Sequence, residues 1–196
     1  MNNCARPPLV FSLLLLVLAL ILSACGGGQS NVDQGNRNGT LHWGNGTEPQ
    51  SLDPHIATGV PEHHIITALM EGLMSKDSKT LAPKAGVAES WDISDDGRVY
   101  TFKLRETARW SNGDPHNAHD YVWSWWRALQ PALGNLYAYM YFSIENAQAY
   151  YEGTVTDFNQ VGVKALDDYT LQVTLSNPTP YFLQLLDHYS LYPVHR

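Results

Sequence analysis

Between Ala88 and Leu129 the hydrophobic period of the chain changes from two to about 3.6, and this change bounds the fold more tightly than any other feature. Val99 to Leu104 alternates strictly. Tyr100, Phe102 and Leu104 fall on one face, and Val99, Thr101 and Lys103 on the other. Asp95-Asp96-Gly97 just ahead of it has turn chemistry, with Gly free to take positive φ. The run "AESWDISDDGRVYTFKLRETARW" therefore reads as a β-hairpin. Ser111 to Asp114, "SNGD", is another turn. Beyond it, Ala118, Tyr121, Val122, Trp125, Ala128 and Leu129 recur at helical spacing. Asn117 stands at the N-cap of that helix, with Asp120 three residues on, close to a capping box with Asp in place of Glu. A half-buried hairpin followed by an amphipathic helix requires a mixed α/β fold (α+β in arrangement).

The same two periods recur elsewhere. Val161 to Leu166 and Tyr169 to Leu175 flank Asp167-Asp168 as a second hairpin, with Leu171, Val173 and Leu175 alternating. Pro61 has the place of a first helical residue. Ile65, Ile66, Leu69, Met70 and Leu73 follow on one face. Leu41 to Trp43 is a short strand candidate. The later half of the aromatic run from Tyr137 to Tyr151 is expected to be helical, as is Tyr181 to Leu186.

At 44% hydrophobic and 16% charged, the chain has the composition of a folded protein. Six Trp and eleven Tyr fit either a packed core or an aromatic-lined cleft. The net charge of -7, with no basic run, excludes an ordinary nucleic-acid binder.

His116, His119 and Asp120 lie within five residues and raise the possibility of a secreted metal-dependent hydrolase, with His63, His64 or His188 as further ligands. The spacing argues against it. A zincin helix needs histidines four apart with a Glu between them, and here they are three apart with Asn117 and Ala118 between. The sequence has no G-x-S-x-G for a serine nucleophile and no P-loop. The reading is therefore no enzyme, no metal and no cofactor.

Leu9 to Leu22 is an apolar run broken only by Ser12, following Arg6. It is short for a membrane span and suits the h-region of a secretory signal. It ends in "LSAC", which resembles the bacterial lipobox. That resemblance implies a signal over residues 1–24, lipidation of Cys25, and a mature protein tethered to a membrane. Cys4 would leave with the signal, so no internal disulfide is expected. The Gly- and Asn-rich residues 25–39 read as a flexible tether.

Several stretches together resemble the family 5 extracellular solute-binding proteins, the oligopeptide-binding components of ABC importers. They are "NGTEPQSLDPHIATGVPE", "EGLMSKD", "AGVAESWDISDDGRVYTFKLRETARWSNGDPHNAHDYVWSWWRALQP", "GVKALDDYTLQVTLSNPTPYFLQLL" and the terminal "YPV". The resemblance covers nearly everything after Thr40. It implies an incomplete type II periplasmic-binding-protein architecture. Residues 40–70 would be the first segment of domain I and 71–195 domain II, with the rest of domain I and domain III absent. The function implied is capture of short peptides in the periplasmic space and delivery to an inner-membrane ABC permease with its ATPase subunits, by a lipid-anchored monomer. Thr58, Gly59 and Val60 match a family segment that pairs with the peptide backbone, and Tyr137 a position facing the ligand. Thr58 stands where close relatives often carry an acidic residue, so no charge contact is implied there. Relatives on the same scaffold carry dipeptides, murein peptides, nickel complexes or haem, and fold alone does not choose among these.

Overall fold

The computed structural model describes residues 30–196. They divide into a short N-terminal unit ending at Gly44 and a main unit from Asn45 to Arg196.

In the first unit, helix α1 spans Asn31–Asn38. The sequence reading placed these residues in a flexible tether, but both helix ends are chemically defined. The Ser30 side chain accepts from the Asp33 N–H at 3.1 Å, and Gly39 closes the helix in the left-handed conformation at φ 68. Leu41 to Trp43 is not a strand. It runs as irregular chain with Leu41 83% and Trp43 63% exposed. A strand exists only through hydrogen bonds to a neighbour, and none of the described strands pairs with this one.

The main unit is built on a four-stranded antiparallel sheet. Its strands are β3 (Ala88–Ile93), β4 (Val99–Leu104), β5 (Val163–Asp167) and β6 (Thr170–Thr174), in the order β3-β4-β6-β5. The two expected hairpins thus lie side by side. Their pairing sets Phe102 opposite both Trp91 and Leu171. The face carrying Tyr100, Phe102, Leu104, Leu171 and Val173 is buried, as alternation required. Gly97 takes φ 69 in the first turn.

Helix α3 (Ala118–Ala128) covers this face. Ala118, Tyr121, Trp125, Ala128 and Leu129 are fully buried in the principal core. The expected cap is present. The Asn117 side chain accepts from the His119 N–H at 2.9 Å, and the Asp120 carboxylate accepts from the Asn117 N–H at 2.9 Å. Short helices α4 (Ala147–Tyr151) and α5 (Phe182–Leu185) complete the core.

Helix α2 spans Val60–Leu69, with Gly59 as N-cap and Pro61 in its first turn. It stops before Leu73, so the apolar face read from the sequence is divided. Ile66 is buried, whereas Leu69 is 73% exposed. Met74–Lys76 (β1) and Pro83–Ala85 (β2) form a separate two-stranded hairpin. Strands of three residues are too short to show a period, so this hairpin was not legible in the sequence.

Candidate functional site

The segment from Asp53 to Val60 crosses from the turn-rich N-terminal stretch into α2, and three side chains of the main body, with one backbone carbonyl, hold it. Arg127, in the last turn of α3, donates to both Asp53 carboxylate oxygens, at 3.1 and 2.5 Å. Its Nη1 also lies 2.8 Å from His55 Nδ1. Arginine only donates, so His55 Nδ1 accepts and the imidazole proton sits on Nε2. That nitrogen donates to the Tyr192 carbonyl at 3.0 Å. Further along, the Tyr189 hydroxyl donates to the Ala57 carbonyl at 3.0 Å, and the Tyr137 hydroxyl faces the Thr58 carbonyl at 3.4 Å. Ala57, Ile66, Tyr189 and Tyr192 form a second small core, with Met70 and Tyr137 packed on it.

The structure brings all four sequence-predicted site residues together. Thr58 and Val60 are exposed, and Gly59 and Tyr137 are half-buried. Among the described residues, nothing accepts from the N–H groups of Thr58, Gly59 or Val60. The arrangement therefore offers main-chain donors on a pinned segment that leads into α2, beside an aromatic ring. Gly59 has ordinary extended angles, φ -92 and ψ 159. What requires glycine there is space: a Cβ would collide with the Glu62 carboxylate. That carboxylate is held in place by the Gln50 N–H at 2.7 Å. Tyr137 is placed by Asn135, which accepts from the Tyr137 N–H at 2.9 Å and donates to the Ala128 carbonyl at 3.2 Å. Its ring contacts those of His188 and Tyr189 at 4.8 and 6.0 Å.

Burial sets the electrostatics. Desolvation, together with the Arg127 charge, lowers the His55 pKa to about 4 and outweighs the Tyr192 carbonyl and the Asp53 carboxylate. Burial works to raise the pKa of Asp53, but the Arg127 hydrogen bond, the His55 N–H and the Arg127 charge hold it below the ordinary value. His188 is pushed down to about 4 by burial and by the nearby His63.

His116, His119 and Asp120 are not assembled into one site. His116 is buried against Trp110 and Tyr121, with ring centroids 4.7 and 5.2 Å away. His119 points outward to Asp168 at 3.3 Å. Asp120 is committed to the cap and to the Trp110 Nε1–H at 3.1 Å. His63 and His188 lie instead against Tyr189. Among the described residues no three His, Cys, Asp or Glu side chains converge on a metal-sized site. Cys25 and the signal reading fall outside the described residues. Within them, no helix is long and apolar enough to cross a membrane.

Asp53, His55, Arg127 and Tyr189 were not singled out by sequence. "SLDPH" reads only as a turn, and its arginine partner lies 74 residues away.

The model of the bacterial extracellular solute-binding proteins, family 5 Middle, matches residues 82–195. The chain belongs to this family. The periplasmic oligopeptide-binding protein OppA of Haemophilus influenzae is 46% identical to it, over 76% of this chain and 28% of that one. The OppA of Escherichia coli K12 is 48% identical over 79% of this chain and 28% of its own length. This chain thus spans under a third of the length of those two relatives. Among solved structures, the Haemophilus influenzae OppA complex with RPPGFSPFR matches with TM-score 0.72 and 45% identity, covering 77% of this chain and 29% of that one. The murein tripeptide binding protein MppA of Escherichia coli matches with TM-score 0.71 and 39% identity, over 76% and 29%. The mixed α/β fold is therefore that of part of a periplasmic solute-binding protein.

Proposed function

We propose that this chain supplies one wall of an oligopeptide-binding cleft in an importer's receptor. The observation that carries the reading is the row of main-chain N–H groups at Thr58, Gly59 and Val60, which have no acceptor among the described residues, on a segment fixed from beneath and flanked by Tyr137. A receptor for peptides of many sequences must draw affinity from what all peptides share, their backbone N–H and C=O groups. Pairing an extended ligand with an extended, pre-organised segment does this, and wet side pockets then tolerate varied residues. The relatives named as oligopeptide-binding proteins favour this cargo.

In this reading residues 40–70 belong to domain I and 71–195 to domain II. The lobe that closes over the ligand corresponds to the part of the relatives that this chain does not span. Binding is passive capture, not catalysis. A monomeric receptor, anchored through a lipid on Cys25 in the periplasmic space, hands its peptide to a membrane permease whose ATPase subunits supply the energy. Closure is a hinge motion biased by a ligand that touches both lobes.

Calorimetry with a mixed set of tri- to pentapeptides tests the cargo, on this chain and on one extended to the length of its relatives. The extended chain is expected to bind and this chain to bind far more weakly. Equal tight binding by both would refute the single-wall reading, and no binding by either would refute peptide cargo. For the anchor, Cys25→Ser should abolish labelling by radioactive palmitate in a bacterial host. Retained labelling would rule out Cys25 as its site.

A further inference from the structure

The peptide-binding segment has few means of staying where it is. Among the described residues, its only backbone–backbone hydrogen bonds between Asp53 and Val60 outside α2 are from the Ile56 and Ala57 N–H groups to the Asp53 carbonyl and from the His63 N–H to the Gly59 carbonyl. None of the described strands pairs with it. Its placement against the main body therefore rests on side chains. One of them, Arg127, makes three of those contacts at once, to Asp53 Oδ1, Asp53 Oδ2 and His55 Nδ1. Bidentate arginine–carboxylate pairs fix orientation as well as contributing energy. Here the pair is about three-quarters buried, with side-chain exposures of 25% and 26%, so solvent screens it little. The third contact fixes the His55 tautomer, and through it the bond to the Tyr192 carbonyl. Arg127 itself sits on the last turn of α3, where a cation is favoured by the helix dipole and its backbone is locked by the principal core.

Taking Thr58 to Val60 as the peptide contact proposed above, we infer that Arg127 is a positioning residue for ligand binding. It touches none of those three residues, yet it sets where they stand by clamping Asp53 and His55 to α3. Lysine replaces it only in part: its ammonium keeps the charge but cannot bridge two carboxylate oxygens and an imidazole in one plane.

The test uses Arg127→Ala, Arg127→Lys and the near-isosteric Asp53→Asn, with three readouts. The first is amide exchange at Ile56 and Ala57, measured on the 196-residue chain. Both amides should exchange at least about tenfold faster in Arg127→Ala and Asp53→Asn, since a hydrogen bond to a charged group is being lost, while amides of β4 and β6 keep their protection. The second is the NMR titration of His55, whose charged neighbours are Arg127 and Asp53. Without the arginine, Nδ1 is freed and the Asp53 carboxylate remains, so His55 should titrate higher in Arg127→Ala. A contribution confined to general stability would not move that titration. The third is peptide affinity in the chain extended to family length, expected to fall at least about tenfold in Arg127→Ala and less in Arg127→Lys.

Unchanged exchange and an unchanged His55 titration would overturn the inference whatever the ligand. Gly59→Ala, measured in parallel, separates the other failure. If it weakens peptide binding while Arg127→Ala does not, the clamp is refuted and the site stands. If neither weakens it, the site reading falls and the clamp's role in binding falls with it.

Discussion

Replacing Tyr189 by Phe removes one oxygen and little else, because the ring is held independently of its hydroxyl. His188 stacks on it with centroids 4.4 Å apart, and His63 and Tyr137 meet it at 5.5 and 6.0 Å. The lost oxygen donates to the Ala57 carbonyl at 3.0 Å in a buried setting. Phe cannot replace that donor, and a buried carbonyl left alone costs about 1–3 kcal/mol. We take about 2 kcal/mol, a large share of the roughly 5–15 kcal/mol that holds a domain folded. With a urea m-value of about 2 kcal/mol/M, the midpoint should fall by about 1 M at unchanged m. Tyr137→Phe is the internal control. Its hydroxyl lies 3.4 Å from the Thr58 carbonyl in an exposed setting, beyond the usual O–H···O range and open to replacement by water. Its cost should stay below about 0.5 kcal/mol. Urea titrations of both variants, followed by tryptophan fluorescence, decide the matter. Equal costs, or a Tyr189→Phe midpoint within about 0.2 M of the parent, would refute the claim that this bond anchors the segment.

Asn117→Ala removes the N-cap of α3 and should cost about 1 kcal/mol in the same titration, and no loss would mean the cap is redundant. His116 is buried with no partner for its Nε2 among the described residues, so His116→Phe should leave stability at pH 7 unchanged or raised, and a clear destabilisation would point to a polar role for the ring. Acid should weaken the fold through His55. Its folded pKa of about 4 lies below the ordinary histidine value of 6.5, so its neutral form is favoured in the folded state. The stability this gives is full above the unfolded pKa and is lost as pH falls from there toward 4, by about 2 kcal/mol at pH 5 for this group alone. The lowered Asp53 pKa acts only at lower pH, below the ordinary carboxylate value, so it does not mask the effect. Urea midpoints at pH 7, 6 and 5 should therefore decline in order, with His116 and His188, which burial also lowers to about 4, adding in the same direction, and a flat series would contradict a buried neutral His55.

Elements whose chemistry is local could be read directly from the sequence. The alternation of Tyr100, Phe102 and Leu104 fixed a strand and its buried face, because a pleated chain presents every second side chain to the core. Asn117 and Asp120 fixed the start of α3, because a cap acts within four residues. Patterns spread across the chain placed it in its family before any coordinates. Partnership over distance was not legible. Leu41 to Trp43 has strand composition but no described strand beside it, and residues 31–38 have tether composition but two defined helix ends. His116 and Asp120 look like ligands in sequence, whereas folding puts one against Trp110 and Tyr121 and gives the other to a cap. The site follows the same division. Thr58, Gly59, Val60 and Tyr137 were named from family pattern. Only the tertiary structure set the Tyr137 hydroxyl opposite the Thr58 carbonyl, 79 residues away, and joined Arg127 to Asp53 across 74. The physical reason is that a helix or a strand is selected by neighbours within a few residues, whereas an ion pair or an aromatic contact is selected by whatever the packed core brings within reach.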